Sequence, residues 1–138
     1  MQIRKLMKTD VVTLQADEPL IDAVEAAASV RIRHLPVLEG EELVGILSVT
    51  DIKHATPSPL VDDSAEQYRK LLQDTPVRRI MRRAPLTVSP EASLADVVRL
   101  MLEHKIGAVP ILEEGKLVGI VSELDVLRSY LQVLEVFE

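Results

Sequence analysis

Four side chains in this sequence combine residue type and spacing in a way that suits chemistry. Ser48 and Asp51 close the phrase Gly45-Ile46-Leu47-Ser48-Val49-Thr50-Asp51, and Ser122 and Asp125 close Gly119-Ile120-Val121-Ser122-Glu123-Leu124-Asp125. In each phrase the run before the serine reads as a strand and the aspartate opens a helix. A hydroxyl therefore leaves the strand and a carboxylate follows three residues later. Free backbone N–H groups and the dipole at a helix start favour an anion, and a hydroxyl can donate to a phosphate oxygen. The carboxylate can accept both hydroxyls of a vicinal diol such as a ribose. Together they suit a nucleotide. The same arrangement is also an ordinary helix cap, in which the serine oxygen accepts from backbone N–H groups. Duplication would copy a cap as faithfully as a site, so the residues alone leave both readings open.

Those phrases belong to a longer repeat. Met7 matches Met81, Pro36 matches Pro110, Gly45 matches Gly119 and Asp51 matches Asp125, each pair 74 positions apart. Roughly fifty residues align without a gap, the mark of a duplicated supersecondary unit. Units of about fifty to sixty residues have marginal cores alone and should pack on each other. The expected fold class is α/β, with two βαββα-type repeats packed as a pseudo-twofold pair. Residues 1–56 should form the first repeat, 57–75 a connector with a short helix, and 76–138 the second repeat with a C-terminal helix.

The elements that position the phrases can be read in order. In the first repeat, Val11 to Leu14 is a short β-branched run that predicts a strand. Asp17 can cap a helix that tolerates Pro19 in its first turn and carries Leu20, Val24, Ala27 and Ala28 at helical spacing, ending near Val30. Leu35 to Leu38 and Leu43 to Ser48 predict the strands of a hairpin turning at Glu39-Gly40-Glu41-Glu42. The second repeat predicts a strand at Leu86 to Val88, a helix from Leu94 to His104 started by Ser93, strands at Val109 to Leu112 and Leu117 to Ser122, and a last helix from Leu124. Leu124, Leu127, Leu131 and Leu134 fall on one face of that helix, and packing against their own repeat is expected ahead of the alternative, a surface for a partner. In the connector, Pro57 and Pro59 break what precedes them, and Asp63 or Ser64 can cap a short helix carrying Ala65, Tyr68, Leu71 and Leu72.

Composition narrows the function classes. The net charge of −6 is spread along the chain, which argues against a broad nucleic-acid footprint. The sequence lacks the long apolar run of a membrane helix, and Met1 to Asp10 lacks the apolar stretch of a signal peptide, so a soluble, cytoplasmic protein is expected. Without cysteine, disulfides, thiolate metal sites and cysteine catalysis are excluded. His54 and His104 have no partners at metal-ligand spacing. Neither a Ser/His/Asp order nor a phosphate-binding glycine loop stands out, and Asp51 and Asp125 are better placed to bind than to act as acid and base.

The repeat resembles a pair of cystathionine-beta-synthase (CBS) domains, the tandem arrangement called a Bateman module, and is similar to small stand-alone bacterial members. The matching pieces are Met7 with Thr13 and Met81 with Thr87, Leu35-Pro36 and Val109-Pro110, and the Gly-x-x-Ser-x-x-Asp phrase in both halves. The resemblance implies a cleft that binds an adenine nucleotide, AMP, ADP or ATP, with or without magnesium. Asp51 and Asp125 would hold ribose hydroxyls, Ser48 and Ser122 would meet phosphate, and the neighbourhoods of Thr13 with Pro36 and Thr87 with Pro110 would receive the base. Arg31, Arg33 and His34 before Pro36, and Lys105 before Pro110, would face phosphates. The positions matching Arg33 and His34 are Gly107 and Ala108, so the two sites should be unequal. Arg31 and Arg33 also suit a solvated helix end. The expected function is a regulatory nucleotide sensor without catalysis or a required cofactor, homodimeric and acting on an unidentified protein partner. The alternative is a structural or dimerisation module whose clefts bind no nucleotide.

Overall fold

The computed structural model of the chain describes residues 1–30, 32–56 and 65–138. Arg31, Pro57, Pro59 and the expected caps Asp63 and Ser64 lie outside the described residues. The chain forms two compact units whose boundaries cross the repeats: a first unit of Val12–Pro85, and a second built from Met1–Val11 together with Leu86–Glu138.

The first unit runs β1 (Leu14–Gln15), α1 (Leu20–Val30), β2 (His34–Glu39), β3 (Glu42–Ser48), α2 (Val49–Ala55), α3 (Ala65–Asp74), α4 (Val77–Ile80) and β4 (Arg82–Arg83). Its sheet has the order β1-β2-β3-β4, with β1 parallel to β2 and the other pairs antiparallel. The second unit contains a 3-10 turn (Ile3–Lys5), α5 (Leu94–His104), β5 (Ala108–Glu113), β6 (Lys116–Ser122) and α6 (Glu123–Phe137). It repeats the same ladder in reduced form: β5 pairs antiparallel with β6, Val88 bridges Ile111 in parallel, and Lys8 bridges Ile120 antiparallel. Both hairpins shift register at the same place, after Val37 and after Ile111.

The expected hairpins and helices form within a residue or two of their predicted bounds. The first strands are shorter than expected: among the described residues only Leu14, Gln15 and Val88 of these segments find ladder partners. Asp17 does another job than starting α1: the Leu20 N–H donates to the Thr75 carbonyl at 2.8 Å, and the Asp17 carboxylate accepts from Arg78 at 2.7 Å. Ser93 does cap α5, its oxygen accepting from the Asp96 N–H at 3.0 Å. The leucine stripe of α6 departs from expectation. Leu124, Leu127 and Leu131 are exposed, because Asp125 and Val126 face the core of the unit and turn the stripe outward.

The repeats exchange their leading segments. Val77, from the second repeat, is fully buried among Leu14, Leu20, Leu35, Val37 and Leu47 of the first. Ile3, from the first repeat, occupies the matching place among Val97, Val109, Ile111 and Val121 of the second. Burying such a side chain contributes about 1.5–3 kcal/mol. Each segment is also pinned by an arginine. Arg78 bridges Asp17 and Glu39, and Arg4 bridges Glu91 and Glu113 at 2.6 Å to each. These carboxylates hold the Arg4 and Arg78 guanidinium pKa values above their usual range, chiefly by direct hydrogen bonds.

Candidate functional site

The ladder register brings several sequence-predicted residues to one end of each hairpin. In the first unit, Thr13 lies just before Leu14, which pairs with Val37 beside Pro36; Pro36 lies across from Ile46, and His34 from Ser48. In the second unit Thr87 precedes Val88, which bridges Ile111 beside Pro110; Pro110 lies across from Ile120, and Ala108 from Ser122. Pro36 and Pro110 are buried, while both threonines are half-buried.

At that end the chain turns into a helix, and both Ser/Asp pairs form complete capping boxes. The Ser48 oxygen accepts from the Asp51 N–H at 3.0 Å, and Asp51 Oδ2 accepts from the Ser48 N–H at 3.0 Å. The Ser122 oxygen accepts from the Asp125 N–H at 3.3 Å, and Asp125 Oδ2 accepts from the Ser122 N–H at 2.9 Å and from its hydroxyl at 3.0 Å. One oxygen of each carboxylate is thus committed to holding the strand-to-helix turn, which satisfies orphan N–H groups at the helix start. The other oxygen takes a cation from the exchanged leading segment. Arg82 Nε donates to Asp51 Oδ1 at 3.2 Å, and Lys8 Nζ lies 3.6 Å from Asp125 Oδ1. Arg128 adds a second cation 3.7 Å from Asp125. The carboxylates are nearly enclosed, with side chains 12% and 6% exposed, whereas Arg82 and Lys8 are 64% and 52% exposed.

Lys8 and Arg82 escaped the sequence reading, although each directly follows the methionine of its repeat. What places them is the packing of that methionine against the glycine of the opposite phrase. A Cβ on Gly45 would lie 2.5 Å from Met81 Sδ and 2.9 Å from the Arg82 carbonyl oxygen; on Gly119 it would lie 2.8 Å from Met7 Sδ and 3.0 Å from the Lys8 carbonyl oxygen. The missing side chain in each phrase makes room for the segment that delivers the cation.

Other predicted cations point elsewhere. Arg33 lines a groove of about 410 Å³ with Val24, Ala28, Ile32, Ile52, Lys53 and Tyr68. Lys105 lines its counterpart of about 470 Å³ with Val98, Leu102, Ile106 and Leu127. Both grooves are apolar in the main, and neither is lined by the Ser/Asp pairs. Among the described residues no group of three His, Asp or Glu side chains could hold a metal ion, and no helix is long and apolar enough to cross a membrane.

Comparison with known proteins places this geometry. The chain is 32% identical over 139 residues to an uncharacterized 33.4 kDa protein in the ribosomal RNA operon of Thermofilum pendens, an alignment covering 99% of this chain and 46% of that protein. The chain thus spans about half the length of that relative. A crystal structure of a CBS domain superposes with a TM-score of 0.80 at 26% identity, covering 95% of this chain and 98% of the other. CBSX2, solved in complex with AMP, superposes with a TM-score of 0.79 at 27% identity, covering 96% and 97%. The CBS domain family profile matches residues 3–58 and again 77–132, spans that coincide with the two copies of the Ser/Asp phrase and its hairpin, and the chain therefore belongs to the CBS domain family, with two copies of the domain.

Proposed function

We propose that the chain is a regulatory module that binds an adenine nucleotide and performs no chemistry on it. The observation that carries this reading is the twofold recurrence of one constellation: a nearly enclosed carboxylate and its serine, with a buried proline and a half-buried threonine in the same hairpin ladder and a cation within reach. A family relative at 27% identity holds AMP, which favours the same class of ligand here. In this reading Asp51 and Asp125 take ribose hydroxyls, Ser48 and Ser122 face phosphate, and the backbone near Thr13 with Pro36 and Thr87 with Pro110 receives the base. Arg33, His34 and Lys105 supply peripheral charge, and magnesium accompanies ATP if it is the ligand. Regulation then follows from differential affinity of the nucleotide for two states of the protein.

A thermal-shift titration with AMP, ADP and ATP, with and without magnesium, tests it. Ligand at a hundred times its dissociation constant should stabilise the fold by about 2.7 kcal/mol. Absence of any shift would leave the second reading, a structural module, which the complete capping boxes favour.

We also propose that the module is a homodimer acting on a protein partner, with the outward face of α6 as an interface. Leu124, Leu127, Tyr130, Leu131, Val136 and Phe137 are all about half or more exposed along this one helix. Sedimentation equilibrium should give twice the chain mass, and Leu131→Glu should lower it; a monomeric wild type ends the dimer reading.

A further inference from the structure

Each of the two aspartates meets an incoming diol with a cation already beside it. In each, Oδ2 accepts from the backbone N–H of the capping serine, so Oδ1 is the oxygen less engaged by the helix turn, and Arg82 at 3.2 Å or Lys8 at 3.6 Å lies against it. We propose that Arg82 and Lys8 are exchangeable cations that decide in favour of phosphorylated ligands: each guards its aspartate, gives way to the ribose, and turns its charge to the ligand's phosphate. This assignment rests on the nucleotide reading above.

The geometry suits such an exchange. The backbone of each cation is fixed. Arg82 lies across from Ile46 in the ladder, and Lys8 and Ile120 exchange two backbone hydrogen bonds of 3.0 Å. The methionine before each cation fills the space left by Gly45 or Gly119. The side chains themselves are more than half exposed, so a rotation sacrifices little buried surface. Arg82 bonds Asp51 through Nε, and its two terminal nitrogens are donors that a phosphate oxygen can use. A bare nucleoside would displace the cation and return nothing to it. A nucleoside phosphate returns a charged hydrogen bond, the stronger kind.

The two sites are unequal in this respect. Arg82 offers a planar fork, Lys8 a point charge, and among the described residues only Asp125 keeps a second cation, Arg128, when the first departs. The Asp51 site should therefore discriminate more strongly for phosphate.

The test is calorimetric titration of the full chain with adenosine, AMP and ATP, for wild type, Arg82→Gln, Arg82→Lys and Lys8→Gln. Arg82→Gln should weaken ATP binding at one site by roughly tenfold or more, the size expected for a lost charged hydrogen bond, and leave adenosine binding equal or tighter. Arg82→Lys should retain most of the ATP affinity. Lys8→Gln should act in the same direction, more weakly, at the other site. Equal losses for adenosine and ATP, or no loss for either, would overturn the exchange while leaving the nucleotide reading intact. A wild type that binds none of the three overturns the nucleotide reading and this assignment with it.

Discussion

Gly45 and Gly119 are the residues on which the contact between phrase and leading segment turns, and they differ in a way that can be measured. The clash waiting at Gly45 is with both the Met81 sulfur and the Arg82 carbonyl oxygen, at 2.5 and 2.9 Å; at Gly119 the same contacts are 2.8 and 3.0 Å. The methionine can move, but the carbonyl belongs to a strand that is hydrogen-bonded in place. Gly45→Ala should destabilise by about 1–3 kcal/mol, as overpacking does, and Gly119→Ala by less. Adding Met81→Ala to Gly45→Ala should not restore stability, since the backbone contact remains and a cavity is added. Urea unfolding measures all three, and equal losses at the two glycines would show that the segment shifts freely. Much at this scale was legible beforehand. The Ser/Asp pairs, their hydroxyl and carboxylate, and even the capping alternative follow from local spacing. Lys8 and Arg82 did not, because the carboxylate each one meets lies in the other repeat, and a local reading treats a repeat as complete in itself.

At the scale of elements, the exchanged segments behave as clasps with two fastenings, an arginine outside and an apolar residue inside. The outer fastening responds to pH with a defined sign. Arg4 holds the Glu91 carboxyl below its usual pKa, mainly by direct hydrogen bonding. A group depressed in the folded state contributes stability above its unfolded pKa and loses it as pH falls through the folded value. The contribution should therefore be present at neutral pH and fade below the ordinary carboxylate value of 4.5. Arg4→Gln should lower Tm slightly at neutral pH, since the pair is exposed and solvent-screened, and the gap from wild type should close as pH falls. A gap that persists at low pH would mean that Arg4 acts by packing alone. The hairpins and the helices α1 and α5 were readable from period and punctuation. The clasps were not, because a single 3-10 turn and a four-residue helix carry too few residues for a periodic signal. The outward turn of the α6 stripe was hidden for a related reason: periodicity finds an apolar face but does not say which way the cap at Asp125 will rotate it.

For the whole molecule, the exchange decides which pieces of chain can fold. A cut by repeat, residues 1–75 against 76–138, strands each leading segment on the wrong fragment. The fragment 1–75 loses Val77 and Met81 from its core and carries Ile3 with nothing to bury it, while 76–138 loses Ile3. Removing such core side chains costs about 2–5 kcal/mol each, which consumes most of the 5–15 kcal/mol typical of a domain. A cut by unit keeps the parts together, and residues 12–85 retain the full sheet β1 to β4, both core residues from the clasp, and the Arg78 and Arg82 ion pairs. The two first fragments are nearly equal in length, so chain length does not favour either. Fragment 12–85 should unfold cooperatively in urea followed by far-ultraviolet circular dichroism, at a lower midpoint than the full chain because a domain of that size is marginal. Fragment 1–75 should give a broad, sloping transition, and mixing it with 76–138 should restore a cooperative one, since together they supply both clasps. A sharp transition for 1–75 alone would show that the leading segments are ornaments on self-sufficient repeats. The opposite result makes the duplicated unit and the folding unit different objects, each aspartate site then being built from one repeat's phrase and the other repeat's cation.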